Sequence, residues 1–336
     1  MTQDLVIEAT RGGAVESRHR ASLAVVDGEG RGVLVHGDVE RPVFPRSAVK
    51  VFQAIPLVET GAADRFGFDD RALSFACASH SGEPGHVALA ADLLARAGLG
   101  EADLECGCHW PFDQVVALEL ARTGGAPSQL HNNCSGKHSG FLCTAVHQGE
   151  ATAGYVLADH PVQRRGRDVI AELARTAVGD ATPVGVDGCS IPTYAAPLQG
   201  LAGGFARLVS GQGIDGGRAQ AGRRLMAACM AEPWAMAGTR RACVTLMEAA
   251  PGRVFAKTGA EGVFCGAVPE LGLGFALKID DGATRAAEAL VAATLATLWR
   301  NADPALGERY EMLSRPTFRN WQGTETGGIE VRGLES

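Results

Sequence analysis

Short apolar runs with strand character stand at both ends of this chain, and the residues between them carry helical spacing. Leu5–Ala9, Ser22–Asp27 and Val33–His36 form the first set, the last two joined by the turn-rich Gly28-Glu29-Gly30-Arg31-Gly32. Arg253–Thr258, Gly262–Val268 and Gly274–Ile279 form the second, linked by short Gly- or Pro-containing turns in a meander. This distribution predicts one mostly antiparallel sheet built from both termini. The fold class is therefore α+β, a layered αβα sandwich rather than an alternating βαβ fold. We expect one domain over 1–336, with the sheet in 1–45 and 250–336 and a helical insertion over 46–249.

Within the insertion, a helix is expected to start near Pro45, with Pro56 kinking or ending it. Asp70 is a candidate cap for a helix through Ala78. Pro84–Ala97, Asp113–Arg122, Lys137–His147, Val162–Val178, Tyr194–Val209, Gly217–Met230 and Arg241–Ala249 follow with helical spacing. A helix over Ala283–Arg300 succeeds the meander. The segment from Pro304 is rich in Gly, Thr and Arg and is expected to wrap the surface.

Charge and composition exclude several classes. Lys and Arg total 31 against 38 Asp and Glu, a net charge of −7, so no basic face for nucleic acid is expected. No run is apolar enough for a membrane span, and the start Met1-Thr2-Gln3-Asp4 lacks signal-peptide character, which predicts a cytoplasmic location. Nine scattered cysteines do not resemble a secreted disulfide framework and are expected to be reduced.

One count is sharper. Lys50, Lys137, Lys257 and Lys278 are the only lysines among those 31 cations, and the other 27 are arginines. Either residue keeps a surface soluble, but arginine does not deprotonate in proteins and fails wherever a neutral amine is needed. Lysines kept in so arginine-rich a chain point to chemistry.

Three of the four fall in motifs. Arg46-Ser47-Ala48-Val49-Lys50 sits at a predicted helix start and places Ser47 and Lys50 three apart, on one face. A serine hydroxyl needs a base to become a nucleophile, and a lysine serves when burial or neighbouring cations lower its pKa. The helix N-terminus and the Ser47 N–H are suited to a developing oxyanion. Lys257-Thr258-Gly259 ends a predicted strand, and Ser-x-x-Lys with Lys-Thr-Gly is the pairing of serine β-lactamases and penicillin-binding proteins. A plain cation at a hairpin end is the alternative for Lys257. Cys77-Ala78-Ser79-His80-Ser81-Gly82-Glu83 offers a second hydroxyl, from Ser79 or Ser81.

His131-Asn132-Asn133-Cys134-Ser135-Gly136-Lys137-His138 and Asp187-Gly188-Cys189-Ser190 bring two cysteines with His, Asp and Lys nearby, a candidate zinc site. Lysine is a rare ligand because its amine must be neutral. The rival cluster is Cys106-Gly107-Cys108-His109, whose alternative is a set of buried or loop cysteines. Lys278, beside Asp280 and Asp281, is expected to be solvated.

Taken in order, these strings resemble the Rhizobium etli type II-like L-asparaginases, a family distinct from the bacterial threonine-nucleophile asparaginases. The resemblance runs from Val15-Glu16-Ser17-Arg18-His19 to Lys257-Thr258-Gly259-Ala260-Glu261-Gly262, and Asn132 through His138 is its most specific piece. It implies a serine β-lactamase-like fold, a homodimer and two Ser–Lys pairs, Ser47 with Lys50 and Ser79 with Lys257. It also implies a zinc ion on Cys134, Lys137 and Cys189 that assists substrate binding. Arg46, His138 and Asp187 are expected to line the substrate pocket.

The implied activity is hydrolysis of the side-chain amide of L-asparagine, a small-molecule substrate, through an acyl-enzyme. A glutaminase, a β-lactamase-like serine hydrolase and a zinc-dependent amino-acid-binding protein are the alternatives.

Overall fold

The computed structural model of the chain describes residues 4–334. Its main sheet is antiparallel and draws on both ends of the chain. From one edge the strands run Thr317–Arg319, Glu325–Arg332, Val6–Arg11, Ala14–Val26, Leu273–Ile279, Val263–Val268 and Phe255–Gly259. Gly32–His36 pairs off that path with Ala14–Val26.

Ala14–Val26 is the pivot. Its first half pairs with Val6–Arg11 and its second half, Ala21–Val26, with Leu273–Ile279. Burial changes at the same point: residues 14–20 are mostly exposed, and residues 21–26 are all buried. The loss of alternation means that both faces are covered there.

Register decides which face each side chain takes. Phe255, Ala267, Gly274 and Val26 form one cross-strand row. Helix Leu198–Ser210 lies on that row, with the Phe205 and Phe255 rings 5.8 Å apart. A Cβ on Gly274 would stand 2.1 Å from the Ala202 carbonyl oxygen, so glycine permits the close approach. Two residues further, Lys257, Cys265, Ala276 and Ala24 make the next row on the same face, and Gly259, Val263, Lys278 and Ser22 the row after it. Lys257 therefore points toward the helical layer. Helix Thr284–Ala302 covers the other face.

The helices of the middle are Lys50–Glu59, Asp70–Ala76, Pro84–Arg96, Gln114–Arg122, Ser135–Gln148, Pro161–Ala174, Leu198–Ser210, Gly216–Ala231 and Ala242–Ala249, with shorter turns at Ala62–Arg65 and Pro233–Ala237. Carboxylates at Asp69, Asp113 and Asp215 accept from the first free backbone N–H groups of their helices. The cap expected at Asp70 is thus its neighbour Asp69. Pro56 sits inside the first helix, which ends three residues later. The helix expected from Tyr194 starts at Leu198, because Pro192–Tyr194 pairs with Val184–Val186 and Ala196–Pro197 with Pro42–Val43.

The tail departs most from expectation. It forms helix Pro304–Ser314 and two strands, and Glu325–Arg332 pairs with Val6–Arg11. Without that partner Val6–Arg11 would be an open sheet edge. One large core joins the sheet to the helices, and a smaller apolar cluster, including Leu104, Cys134, Phe141, Tyr155 and Cys189, lies apart from it. The architecture is α+β with a curled antiparallel sheet. Among the described residues no helix is long and apolar enough to cross a membrane.

Candidate active site

The residues singled out by motif converge where the sheet face meets the helical layer. Arg46–Val49 forms a tight 3-10 turn that leads into the helix from Lys50. This turn packs on the strand carrying Lys257, because Gly259 has no side chain: a Cβ there would lie 2.4 Å from the Pro45 carbonyl oxygen. The glycine of Lys-Thr-Gly thus admits the turn that carries Ser47. Ser47 is half-buried, whereas Lys50 and Lys257 are fully buried.

Lys50 Nζ donates to Cys134 Sγ at 3.0 Å and also to the Ala78 carbonyl oxygen. It therefore ties the Ser79 segment to the cysteine pocket. Lys257 Nζ donates to the Thr258 carbonyl oxygen at 2.9 Å. Burial lowers the Lys257 amine to about 7, the nearby cations of Lys50 and Arg241 push the same way, and the Cys243 thiol opposes them. An amine near 7 is a general base at neutral pH.

The two candidate hydroxyls of the next motif separate clearly. Ser81 Oγ donates to the Ala237 carbonyl oxygen at 3.2 Å. Ser79 Oγ is buried and has no hydrogen-bond partner among the described residues. Ser79 is placed by its flanks: its N–H donates to the Met236 carbonyl oxygen, and the His80 N–H to that of Asn133. The His80 ring accepts from the Gly82 N–H at Nδ1, so its Nε2–H donates to Ser135 Oγ at 2.9 Å. Neither Ser47 nor Ser79 makes a direct hydrogen bond to a lysine.

Cys134 precedes helix Ser135–Gln148, and Gly136 lets that helix approach closely: a Cβ there would be 2.1 Å from the Phe75 carbonyl oxygen. Cys189 is carried on the hairpin tip Asp187–Ser190, closed by the Ser190 N–H donating to the Asp187 carbonyl oxygen, with Ser190 left-handed at φ 73°. Lys137 Nζ donates to Cys189 Sγ at 3.1 Å. A hydrogen bond from the Cys189 S–H drives Cys134 well below the usual thiol range against the effect of burial, with Lys137 and Lys50 adding to the shift. Cys189 is correspondingly raised, first by that same bond. Burial pushes Lys137 down, but the thiols and Asp187 outweigh it and raise the amine.

Arg46 and Asp187 form an ion pair at 2.7 Å, with side chains 28% and 11% exposed. Arg46 adopts φ 50°, a left-handed conformation that costs a non-glycine residue about 1–3 kcal/mol. The pair and Lys137 hold the Asp187 carboxylate below its ordinary range although burial opposes them. His138 is fully buried, with Nδ1 2.7 Å from the Tyr155 hydroxyl.

Other expectations resolve differently. Cys106 is buried, Cys108 is exposed and the His109 ring contacts Asn133, so this cluster does not converge. Among the described residues no three His, Cys, Asp or Glu side chains gather as a metal-ligand set. Lys278 is not simply solvated: it donates to the Glu261 carbonyl oxygen at 2.7 Å and to that of Ile279, which bolts down the turn after Lys-Thr-Gly. His19 lies elsewhere on the sheet, against Asp281. No disulfide joins the nine cysteines.

Sequence reasoning passed over Tyr155 and Cys243. Cys243 Sγ accepts from the Thr258 N–H at 3.2 Å, and Tyr155 lies in a turn region without a motif. The available signal for Tyr155 was rarity, since the chain has only three tyrosines.

A family model described as L-asparaginase II matches residues 7–331. No curated protein matches the chain. The match spans both sheet-forming ends and the whole helical middle, so the chain belongs to the L-asparaginase II family.

Proposed function

We propose that this chain hydrolyses the side-chain amide of L-asparagine to L-aspartate and ammonia through an acyl-enzyme on Ser47. The observation that carries the reading is Lys257: a fully buried amine near pKa 7, on the sheet face against which the Ser47 turn packs. Ser79 Oγ, buried without a partner among the described residues, is suited to relay the proton from Ser47 to Lys257. Lys50 holds Ala78 and Cys134 in place beside them.

In the first half-reaction Ser47 Oγ attacks the amide carbon and its proton passes to the Lys257 amine. The proton then moves to the departing nitrogen, the C–N bond breaks and ammonia leaves. In the second, water attacks the β-aspartyl ester, the same amine takes its proton and returns it to Ser47, and aspartate is released. Proton transfer by such a base contributes roughly 10²–10⁴-fold. Arg46, Asp187 and His138 are the groups assigned to the substrate, offering a cation, a carboxylate and a ring N–H.

The donor set of Cys134, Cys189 and Lys137 fits zinc, which takes thiolate and nitrogen ligands. The 3.1 Å contact of Lys137 Nζ with Cys189 Sγ, with the buried Cys134 nearby in the same smaller cluster, supports that assignment. Cys134, Cys189 and Lys137 would hold the ion, and a bound zinc would supply Lewis-acid polarisation to a substrate oxygen. The reading also takes the fold to share the serine β-lactamase layering and the chain to work as a cytoplasmic homodimer. The scattered spacing of the nine cysteines, unlike a secreted disulfide framework, supports a reducing compartment.

The test is an ammonia assay with asparagine, with glutamine and with a chromogenic β-lactam. The native chain should release ammonia from asparagine. Ser47→Ala should abolish release while the fold persists, and Lys50→Arg should impair it severely. Full activity in Ser47→Ala would remove the nucleophile assignment, and binding of asparagine without turnover by the native chain would favour the amino-acid-binding alternative.

A further inference from the structure

Two buried polar atoms in the site, Ser79 Oγ and His138 Nε2, have no protein partner among the described residues. The first belongs to the proton path above; the second leads to a residue with no assigned role. Tyr155 is fully buried, and its hydroxyl accepts the Glu105 backbone N–H at 3.0 Å. The same oxygen lies 2.7 Å from His138 Nδ1.

These two contacts fix the direction of the second bond. A phenol has one hydrogen to give. If Nδ1 carried the ring proton, the Tyr155 oxygen would accept twice and its own hydrogen would have no acceptor. If Tyr155 donates to Nδ1, every group in the chain is satisfied except Nε2–H. Burial raises the Tyr155 phenol, so it keeps its hydrogen. The chain therefore runs from Glu105 N–H through the Tyr155 hydroxyl to Nδ1, which leaves His138 as an Nε2–H donor.

The ring is also held against rotation. Tyr155 meets it edge-on at 5.4 Å between centroids, and Phe141 does so at 6.0 Å. Glu105 fastens the turn a second time, its carboxylate accepting from the Gly154 N–H at 2.8 Å. The Tyr155 carbonyl oxygen accepts from Gln163 Nε2 at 2.9 Å. A buried donor left without a partner is costly, so a fixed Nε2–H selects a ligand that brings an acceptor oxygen.

We infer that Tyr155 is a positioning residue that commits His138 to the Nε2–H tautomer, and that His138 thereby recognises an oxygen of the amino-acid substrate. The inference rests on the assignment of His138 to the substrate pocket made above.

Its test uses the intact chain, ¹⁵N-labelled at histidine, with His138→Gln to identify the His138 signals. In the native chain we expect a protonated Nε2 and a bare Nδ1. Tyr155→Phe should lose that pattern, leaving the ring as a tautomer mixture. Its KM for asparagine should rise roughly tenfold, with kcat within about twofold, as expected when one hydrogen bond to bound substrate loosens. A protonated Nδ1 in the native chain would overturn the inference, as would a Tyr155→Phe chain with native nitrogen signals and native KM. Should Tyr155→Phe not fold, the native spectrum alone decides the tautomer. If the chain released no ammonia from asparagine, the proposed activity would fail, and the nitrogen spectrum with aspartate titrated in would still test the role of Tyr155.

Discussion

Lys257 and Lys137 are equally buried and carry the same side chain, yet their surroundings drive them in opposite directions. Lys257 stands in the main core, on a sheet face among Phe255, Cys265 and Ala276, with two further cations nearby. Lys137 stands beside the smaller apolar cluster, against two thiols and a carboxylate. Burial alone lowers an amine; neighbours decide whether that effect prevails. One buried amine is thereby lowered toward neutrality, and the other is raised and donates to sulfur. The scarcity of lysine marks both without distinguishing them.

The strongest way to break this contrast is exchange by substitution. Lys257→Met should reduce turnover by about 10²–10⁴-fold while zinc still binds. Lys137→Met should abolish stoichiometric zinc binding, measured by metal analysis after gel filtration. If both variants lost the same property, the two lysines would not have separate roles.

The next effect is on pH. Lys257 gains its proton as pH falls below about 7, so kcat/KM should drop about tenfold per unit below that point. Stability responds with a defined sign. Between about 7 and the ordinary 10.5 of lysine, the unfolded chain binds a proton at this residue that the native chain does not. Unfolding free energy should therefore rise with pH in that window, by at most about 1.4 kcal/mol per unit from this group. Urea titrations at several pH values should find this increment in the native chain and in Lys137→Met, and not in Lys257→Met.

Zinc binding should also sharpen the contrast. A raised Lys137 and a protonated Cys189 must both give up protons to become ligands, so binding should release roughly two protons. Calorimetry in buffers of different ionisation enthalpy measures this directly. Release of none would mean that Lys137 is not a ligand.

The smallest effect concerns the rim. Arg46→Gly relieves the left-handed strain but loses the ion pair with Asp187 and gains backbone entropy in the unfolded chain. Stability should change by no more than about 1 kcal/mol, while KM for asparagine rises. A thermal melt and a substrate titration separate the two.

Much of this arrangement was legible in the sequence because it rests on periodicity and on rare residues. The meander and the paired apolar runs placed Lys257 on a strand. The excess of arginine made three lysines conspicuous. Other parts depend on distance along the chain. Nothing local to Thr317–Arg332 announces that it completes an edge for Val6–Arg11, since a strand's partner is set by tertiary pairing. Tyr155 acts through one hydroxyl that meets His138 from a turn, and such contacts leave no spacing signal. The motif alone leaves Ser79 and Ser81 open; the resemblance favours Ser79, and the structure adds that the Ser81 hydroxyl is occupied while that of Ser79 has no partner among the described residues. Lys278 appeared idle because its partners are backbone carbonyls, which every residue has.

The topology of the sheet also sets an order on biosynthesis. Ser47, Ser79, Cys134, Lys137 and Cys189 all emerge from the ribosome before the strand bearing Lys257, and the strand that seals Val6–Arg11 comes later still. A nascent chain can gather its helices and thiols, but it lacks the Lys257 amine until the second half of the sheet arrives. On the proposed mechanism a partly made copy is inactive until that strand is added, and Val6–Arg11 waits for a partner about three hundred residues away.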